Sequence, residues 1–474
     1  MEQTKENKMG TMPVNRLLIT MSLPMMISML VQALYNVVDS IFVSRINENA
    51  LTAVSLAFPI QTLMIAVAGG TCVGINAVLS KALGEKEQKR ADNTAVSGIV
   101  LMAISYVLFL LVGLFVTRAF YLSQTDDTQI VEFGVQYLSI VCSCSFGLFA
   151  QFVFERLLQS TGRTFYIMIT QGTGALINII LDPIFIFGLC GMPKMGVAGA
   201  AVATVTGQTI AGTIALVLNF KKNEDIHIRF KGFRLEREIV GMIYKIGVPS
   251  MIMQAIGSVM TYGMNLILIS FTPTATAVFG VYFKLQSFIF MPVFGLNNGL
   301  VPILAYNYGA GRRDRFIQAM KCAVLYAACI MAVGVVVFQT IPEVLLGFFS
   351  ASDEMLRIGV PALRIICISF LPAAFGIVCG TAFQALGNAV YSMFVSMARQ
   401  LVVLLPAAYL LSLSGQVTYV WWAFPIAEIM SLTMTAVFLI RINKKVIRHI
   451  GEDPREVAQR QLNDGGVVDR ERGK

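Results

Sequence analysis

Apolar runs long enough to cross a lipid bilayer recur along the whole chain, and they constrain its fold more than any other feature. A membrane-spanning helix needs about 20 mostly apolar residues, and twelve segments of the 474-residue chain reach that length. Only 13% of the residues are charged, against about 25% in soluble proteins. The sequence therefore predicts an all-α polytopic membrane protein with twelve transmembrane helices. We place them at residues 17–45, 52–82, 93–121, 130–158, 165–189, 195–219, 238–270, 275–307, 317–348, 355–384, 390–413 and 418–441.

The connections between these segments alternate in charge. Lys and Arg concentrate in the loops 84–90, 221–237 and 309–315 and in both tails, whereas the intervening loops carry few. Basic loops mark the cytoplasmic side, so both termini are expected in the cytoplasm. The net charge of +9 follows from this bias, and it predicts contact with anionic membrane lipids rather than with nucleic acid.

An internal repeat organises the chain. Shifting the sequence by 225 residues superposes QSTGRTFY (159–166) on QALGNAVY (384–391) and aligns several prolines and glycines. The aligned pairs include Pro24 with Pro249, Gly74 with Gly299 and Gly84 with Gly309. Six helices separate the copies, so the repeat is parallel and predicts two six-helix lobes around a central cavity. We assign the first lobe to 1–220, a cytoplasmic linker to 221–237, the second lobe to 238–450 and a disordered cytoplasmic tail to 451–474.

One acid interrupts the first apolar helix. An ionised carboxylate in hydrocarbon is costly, and such a residue is a functional-site hypothesis by default. Tyr35, Asn36 and Asp39 are three and four residues apart, so they share one side of a helix, which Gln32 extends by a turn. We expect Asp39 to bind a coupling ion and its neighbours to line a substrate cavity.

A second acid lies at a similar depth in the fifth segment. Asn178 and Asp182 are four residues apart and share a helix face. Together with Asp39 and a hydroxyl such as that of Thr204, they would suit a small hard cation or a proton shared between the acids. The repeat matches Asp39 with Met264 and Asp182 with Ala407, so only the first lobe carries this pair. The alternative is a structural hydrogen-bond clamp between helices.

Basic residues characterise the second lobe instead. We expect the second lobe to bury Lys284, Arg364 and Arg399. Glu428 is a candidate partner for them, which favours a structural ion-pair network. In the alternative, Lys284 lines the cavity, as does Gln254 on the seventh segment. Glu155 and Arg156 lie near the cytoplasmic end of the fourth segment, where we expect them to snorkel or to pair.

Four stretches together resemble the MATE (multidrug and toxic compound extrusion) family: YNVVDSIFVSR, QSTGR, NIILDPIFIFG and GVAGAAVAT. The acid in the first helix and the N-x-x-x-D of the fifth are similar to its DinF-like bacterial branch. The resemblance implies an antiporter of the bacterial inner membrane that exports organic cations and other small-molecule drugs in exchange for H+ or Na+, with no other cofactor. It implies cation binding by Asp39, Asn178, Asp182 and Thr204, with Na+ at the first three. The glutamate that the NorM-like branch places in the seventh helix is absent here, where the chain has Gln254.

Three other functions are weighed against this one. The first is a channel, but a repeat with asymmetric buried acids fits coupled transport better. A flippase for lipids or lipid-linked oligosaccharides of the same superfamily is the runner-up, since its phosphate-bearing substrate would need basic residues like those of the second lobe. An intramembrane enzyme would need a nucleophile–base pair or a metal motif such as H-E-x-x-H, and the sequence has neither. We expect a transporter that acts as a monomer and is not an enzyme.

Overall fold

The computed structural model describes residues 6–46, 48–230, 233–349 and 351–452. Eleven helices in these ranges are long and apolar enough to cross a membrane, and a pair bent by 41° makes a twelfth, which confirms the predicted number. In chain order they are α1 Val14–Ser44, α2 Glu48–Gly84, α3 Gln88–Leu122, α4 Thr128–Ser143 with Phe146–Ser160, α5 Thr164–Phe187, α6 Val197–Lys222, α7 Arg237–Ile269, α8 Pro273–Gly309, α9 Arg313–Thr340, α10 Asp353–Ala385, α11 Ala389–Ser412 and α12 Val417–His449.

Proline explains one of the two largest errors in the predicted boundaries. The ninth segment was expected to reach residue 348, but α9 ends at Thr340 and a separate short helix, Pro342–Gly347, follows. Proline lacks a backbone N–H and fits the first turn of a helix but not its interior. The apolar pattern continues across this break, so hydropathy alone does not reveal it.

The loops that the sequence marks as basic meet at one end of the bundle, which we call the basic end; the opposite end is the far end. Ion pairs connect these loops: Arg163 lies 3.1 Å from Asp225, and Arg90 lies 3.6 Å from Glu238. A short N-terminal helix, Lys8–Thr11, lies at the same end, where Asn7 donates to the Thr161 carbonyl.

The helices form two lobes, α1–α6 and α7–α12, and the first helix of each lobe packs against the other lobe near the basic end. Leu17 and Met21 of α1 belong to the buried apolar cluster of the second lobe. Ile239 and Ile243 of α7 belong to the buried cluster of the first lobe. The exchange is reciprocal, as the parallel repeat predicts. The chain between α6 and α7 contains no helix in its described part, and the limits of the linker and of the lobes stay a prediction.

Glycines make the interface at the basic end tight. A Cβ atom added at Gly84 of α2 would overlap the carbonyl oxygen of Tyr306 on α8. At the equivalent position of the repeat, a Cβ atom on Gly309 would overlap the carbonyl oxygen of Lys81. Small residues allow this close approach of helix backbones. The two lobes therefore close against each other at the basic end.

Of the predicted tail, residues 453–474 lie outside the described residues.

Candidate functional site

The predicted ligands on α5 and α6 form a hydrogen-bonded set toward the far end. Asp182 is fully buried and Asn178 is 3% exposed. With its amide oriented to satisfy both neighbours, Asn178 Nδ2 donates to Asp182 Oδ2 at 3.0 Å. In the same orientation Asn178 Oδ1 accepts from the backbone N–H of Thr204 at 3.0 Å and from Thr204 Oγ1 at 3.1 Å. The four-residue spacing on α5 therefore places the amide as a bridge between the acid and α6.

Asp39 of α1 joins this set from the neighbouring helix. Its carboxyl group lies within hydrogen-bonding reach of the Asp182 carboxyl group. A hydrogen bond between two carboxyl groups requires one proton between them, because an ionised carboxylate only accepts. Tyr35, one turn earlier on α1, is close enough to interact electrostatically with both acids. The structure thus brings Asp39, Asn178, Asp182 and Thr204 together, and their role as ion ligands stays a prediction.

Each of the two acids keeps one buried oxygen without a partner. Asp39 Oδ1 and Asp182 Oδ1 are closed to solvent and make no hydrogen bond with any described residue. A buried polar atom left unpaired costs about 1–3 kcal/mol, and more if charged. A proton or a small cation that prefers oxygen ligands, such as Na+, fits these oxygens together with the amide and the hydroxyl. A purely structural clamp between the helices would leave both oxygens unsatisfied.

The equivalent positions of the second lobe hold no such set. Met264 replaces Asp39 and is fully buried, and Ala407 replaces Asp182. Val403 stands where the first lobe has Asn178, and Ile429 where it has Thr204. None of these side chains can bind a cation, so ion-binding groups of this kind belong to the first lobe.

A cavity of about 670 Å³ lies between the two lobes. Asn178 and Thr204 form part of its wall, so the hydrogen-bonded set connects the two acids to the cavity. Of the residues predicted to line it, Gln32, Tyr35 and Gln254 do so. The side chain of Asn36 lies outside the described residues.

Lys284 does not line this cavity, and its predicted placement there was wrong. The side chain is exposed, and its ammonium group lies 5.8 Å from the centre of the Phe349 ring. The sequence places Lys284 on the correct helix, α8, but not on the face that turns toward the cavity. Helix rotation is set by packing and not by hydropathy.

The expected ion-pair network of the second lobe is smaller than predicted. Arg364 is exposed and lies 3.5 Å from Glu343, so its predicted burial was wrong. Arg399 and Glu428 are paired at 3.3 Å, which confirms that part of the prediction. Arg399 lies in a π-helical stretch of α11, Ala398–Leu404, and reaches the cavity wall.

Two further charged residues of the cavity wall, Glu155 and Arg156, were expected near the membrane surface. Glu155 is only 6% exposed and does not snorkel. The helix end beyond it is covered by the closed basic end, where Gln159 is also buried. The sequence does carry a signal for this wall, because Gln151, Glu155 and Gln159 repeat every four residues and mark one polar face of α4.

A model of the MatE family matches residues 24–184 and 249–410. The two matches begin 225 residues apart (249 − 24), which is the offset of the repeat. The multidrug export protein MepA of Staphylococcus haemolyticus (strain JCSC1435) is 26% identical over 423 residues, which cover 89% of this chain and 92% of that protein.

Solved structures agree with this comparison. An outward-facing multidrug resistance MATE family transporter of the MOP superfamily superposes with a TM-score of 0.87 at 25% identity, covering 94% of this chain and 99% of that one. A MATE structure in complex with MaL6 gives the same TM-score and identity, covering 93% and 99%.

Proposed function

Because the chain belongs to the MatE family, we propose that it is a secondary active antiporter that exports organic cations and other drugs in exchange for H+ or Na+. The family identity that the sequence motifs predicted is confirmed, and it makes the chain a transporter and not an enzyme. Its relatives include multidrug export proteins, which supports drugs as the substrate class.

The observation that carries this proposal is the position of the two acids behind the cavity wall. Asp182 contacts Asn178, Asn178 contacts Thr204, and the last two line the cavity. When the shared proton leaves, the two ionised acids repel each other; binding a proton or Na+ removes this repulsion and changes which groups the acids can hydrogen-bond. Ion binding at the two acids is therefore linked to the shape of the first-lobe part of the cavity wall through the side-chain amide of Asn178. This linkage is what exchange of ion for substrate requires.

The closed interface supports one assignment of the two ends. Since the lobes seal the basic end, the cavity is reached from the far end, which we assign to the outside. The basic end then faces the cytoplasm of a bacterial cell, with both termini on that side, in agreement with the distribution of Lys and Arg. We propose a monomer in contact with membrane lipids, with no cofactor beyond the coupling ion.

Reconstituted protein tests the proposal. Proteoliposomes loaded with a fluorescent organic cation should transport it when a pH gradient or a Na+ gradient is imposed, and dissipating the gradient should stop transport. A gradient-independent flux would indicate a channel. Separate pH and Na+ gradients identify the coupling ion, because only the ion that binds the acid pair will drive transport.

The runner-up is a flippase for a lipid or lipid-linked oligosaccharide. The observation in its favour is that Arg156 and Arg399 line the cavity, where they would face a phosphate. Arg399 is, however, already paired with Glu428. The same proteoliposomes, prepared with a labelled phospholipid, discriminate the two functions, because a flippase would move the label between leaflets without moving the organic cation.

A further inference from the structure

We propose that the N-terminal segment, residues 6–12, is a strap that holds the two lobes together at the basic end, so that detaching it favours opening of this end. The proposal rests on the alternating opening of the two ends that the antiport function above requires. It gives a task to a segment that precedes the first membrane-spanning helix and lies at the opposite end of the molecule from the acid pair.

The N-terminal strap binds the first lobe through one amide. Asn7 Nδ2 donates to the backbone carbonyl of Thr161 at 3.0 Å and to Asp225 Oδ1 at 2.9 Å. Thr161 is buried between α4 and α5, and Asp225 also pairs with Arg163. Asn7 Oδ1 accepts from the N–H of Met9 at 2.9 Å and so caps the short helix. One side chain therefore starts the helix of the strap and attaches it to the first lobe.

Two arginines of the second lobe bind the strap from the other side. Arg315 Nη2 donates to the carbonyl of Met9 at 3.0 Å and to that of Met12 at 2.6 Å. Arg312 pairs with the Glu6 carboxylate. The last carbonyls of a helix have no partner within it, and a guanidinium group has several N–H donors to offer them. Because the strap is bonded to both lobes, separating the lobes at this end requires the bonds on one side to break.

The strap packs on the glycine contact that closes the basic end. Gly10 is buried and its carbonyl accepts from Arg312. A Cβ atom added at Gly10 would lie 3.1 Å from the ring of Tyr306, the residue whose carbonyl Gly84 approaches. Met9 is fully buried and belongs to the apolar cluster of the second lobe. The strap is therefore part of the closed interface, and its position depends on that interface being closed.

The repeat explains why Arg315 binds the strap. Its equivalent in the first lobe is Arg90, which lies within 4.0 Å of three carboxylates, those of Glu85, Glu87 and Glu238. No carboxylate of the described residues lies that close to Arg315. The carbonyls of the strap take the place of these acids. Detachment therefore costs Arg315 two charge-assisted hydrogen bonds.

The test measures closure of the basic end when the strap is weakened from either side. Cysteines replace Lys81 and Tyr308, whose ammonium group and ring centre lie 5.0 Å apart, in a background whose other accessible cysteines are changed to serine. A short crosslinker is applied to the purified full-length protein without substrate or ion gradient. We expect crosslinking to fall several-fold in Asn7→Ala, which releases the first lobe, and in Arg315→Gln, which releases the second.

Arg313→Gln is the matched control. It removes the same charge two residues from Arg315, from an exposed side chain that makes no ion pair with the described residues, and it should crosslink like the wild type. Arg315→Lys keeps the charge and can still donate to a carbonyl, so it should recover part of the crosslinking. Unchanged crosslinking in both folded strap variants, or an equal loss in Arg313→Gln, would overturn the proposal.

The experiment separates the strap from the antiport function, because crosslinking requires no transport. If the strap variants lose crosslinking while no gradient drives efflux by the wild type, the strap holds the basic end closed and antiport is wrong. If a gradient drives efflux but both strap variants crosslink fully, antiport stands and the strap is wrong.

Discussion

At the basic end the two lobes are close copies of each other, whereas around the cavity they differ at their charged positions. Gly84 and Gly309 are equivalent in the repeat and make the same contact with a carbonyl of the other lobe. The first lobe alone has the carboxyl pair Asp39 and Asp182, where the second has Met264 and Ala407.

The second lobe has its own charged feature, the pair Arg399 and Glu428. The first lobe matches these positions with Gly174 and Ala203. The comparison separates two tasks. We expect the symmetric positions to form the surface on which the lobes move against each other, and the asymmetric positions to bind the coupling ion and the substrate. The predictions below either remove the asymmetry or disturb the symmetric surface.

The largest effect is expected from the acid pair. Asp182→Asn or Asp39→Asn should each reduce gradient-driven efflux to below roughly a tenth, because either change removes the charge that the coupling ion must compensate. The two carboxyl groups contact each other, so they act as one unit and the double variant should lose little more than either single. Efflux from proteoliposomes across pH and Na+ concentration measures all three.

The control for this experiment is Asp126→Asn, since Asp126 is an exposed acid in the loop before α4. It should transport like the wild type. Losses that multiply in the double variant, with all proteins folded by size-exclusion chromatography, would show that the two acids act independently.

A smaller effect is expected at the symmetric interface. Gly84→Leu places a side chain against the Tyr306 carbonyl, so it should hinder closure of the basic end and slow transport several-fold without removing the ion site. The experiment measures closure of the basic end directly. Lys81 Nζ lies 5.0 Å from the centre of the Tyr308 ring, so cysteines at these two positions should react with a short crosslinker in the closed state and less in Gly84→Leu.

Gly241 provides the matched control. It lies in α7 near the same end, and a Cβ atom added there would meet nothing within 4 Å. Gly241→Leu should leave crosslinking between positions 81 and 308 unchanged. Crosslinking that responds to neither substrate nor ion gradient would contradict movement of the lobes at this surface.

The sequence predicted the number of helices and their grouping into lobes better than it predicted the directions in which their side chains point. Hydropathy reports on lipid contact and is enough to predict twelve helices. The constant offset of 225 residues reports on the repeat and is enough to predict two lobes. The convergence of Asp39 with Asn178 and Asp182 was also predictable, since both acids lie about five residues from the far end of their helices.

The errors arise where neighbouring helices decide the outcome. Lys284 and Arg364 were expected inside, but the rotation of α8 and of α10 turns them outward. Glu155 was expected near the membrane surface, but the lobe interface covers that end of α4. Both errors depend on contacts between segments far apart in sequence, which the local pattern does not contain.

The smallest effect is expected from the ion pair of the second lobe. This prediction tests whether that lobe contributes to stability or to the coupling of ion and substrate transport. Glu428 is 6% exposed and its Oε1 has no partner in the described structure, whereas the Arg399 side chain is 28% exposed. Glu428→Gln leaves the guanidinium without its counter-charge and should destabilise the protein by about 2 kcal/mol, less than for a fully buried pair. Replacing both residues by Met should recover most of this loss, since apolar replacement of a buried pair is often neutral.

Thermal unfolding in detergent measures stability, and ions exchanged per substrate in proteoliposomes measure coupling. Because we propose that the coupling ion binds in the first lobe, every variant that still transports should keep the wild-type ratio. A changed ratio in Glu428→Gln would make the second lobe part of the coupling machinery and end the division of tasks between the lobes.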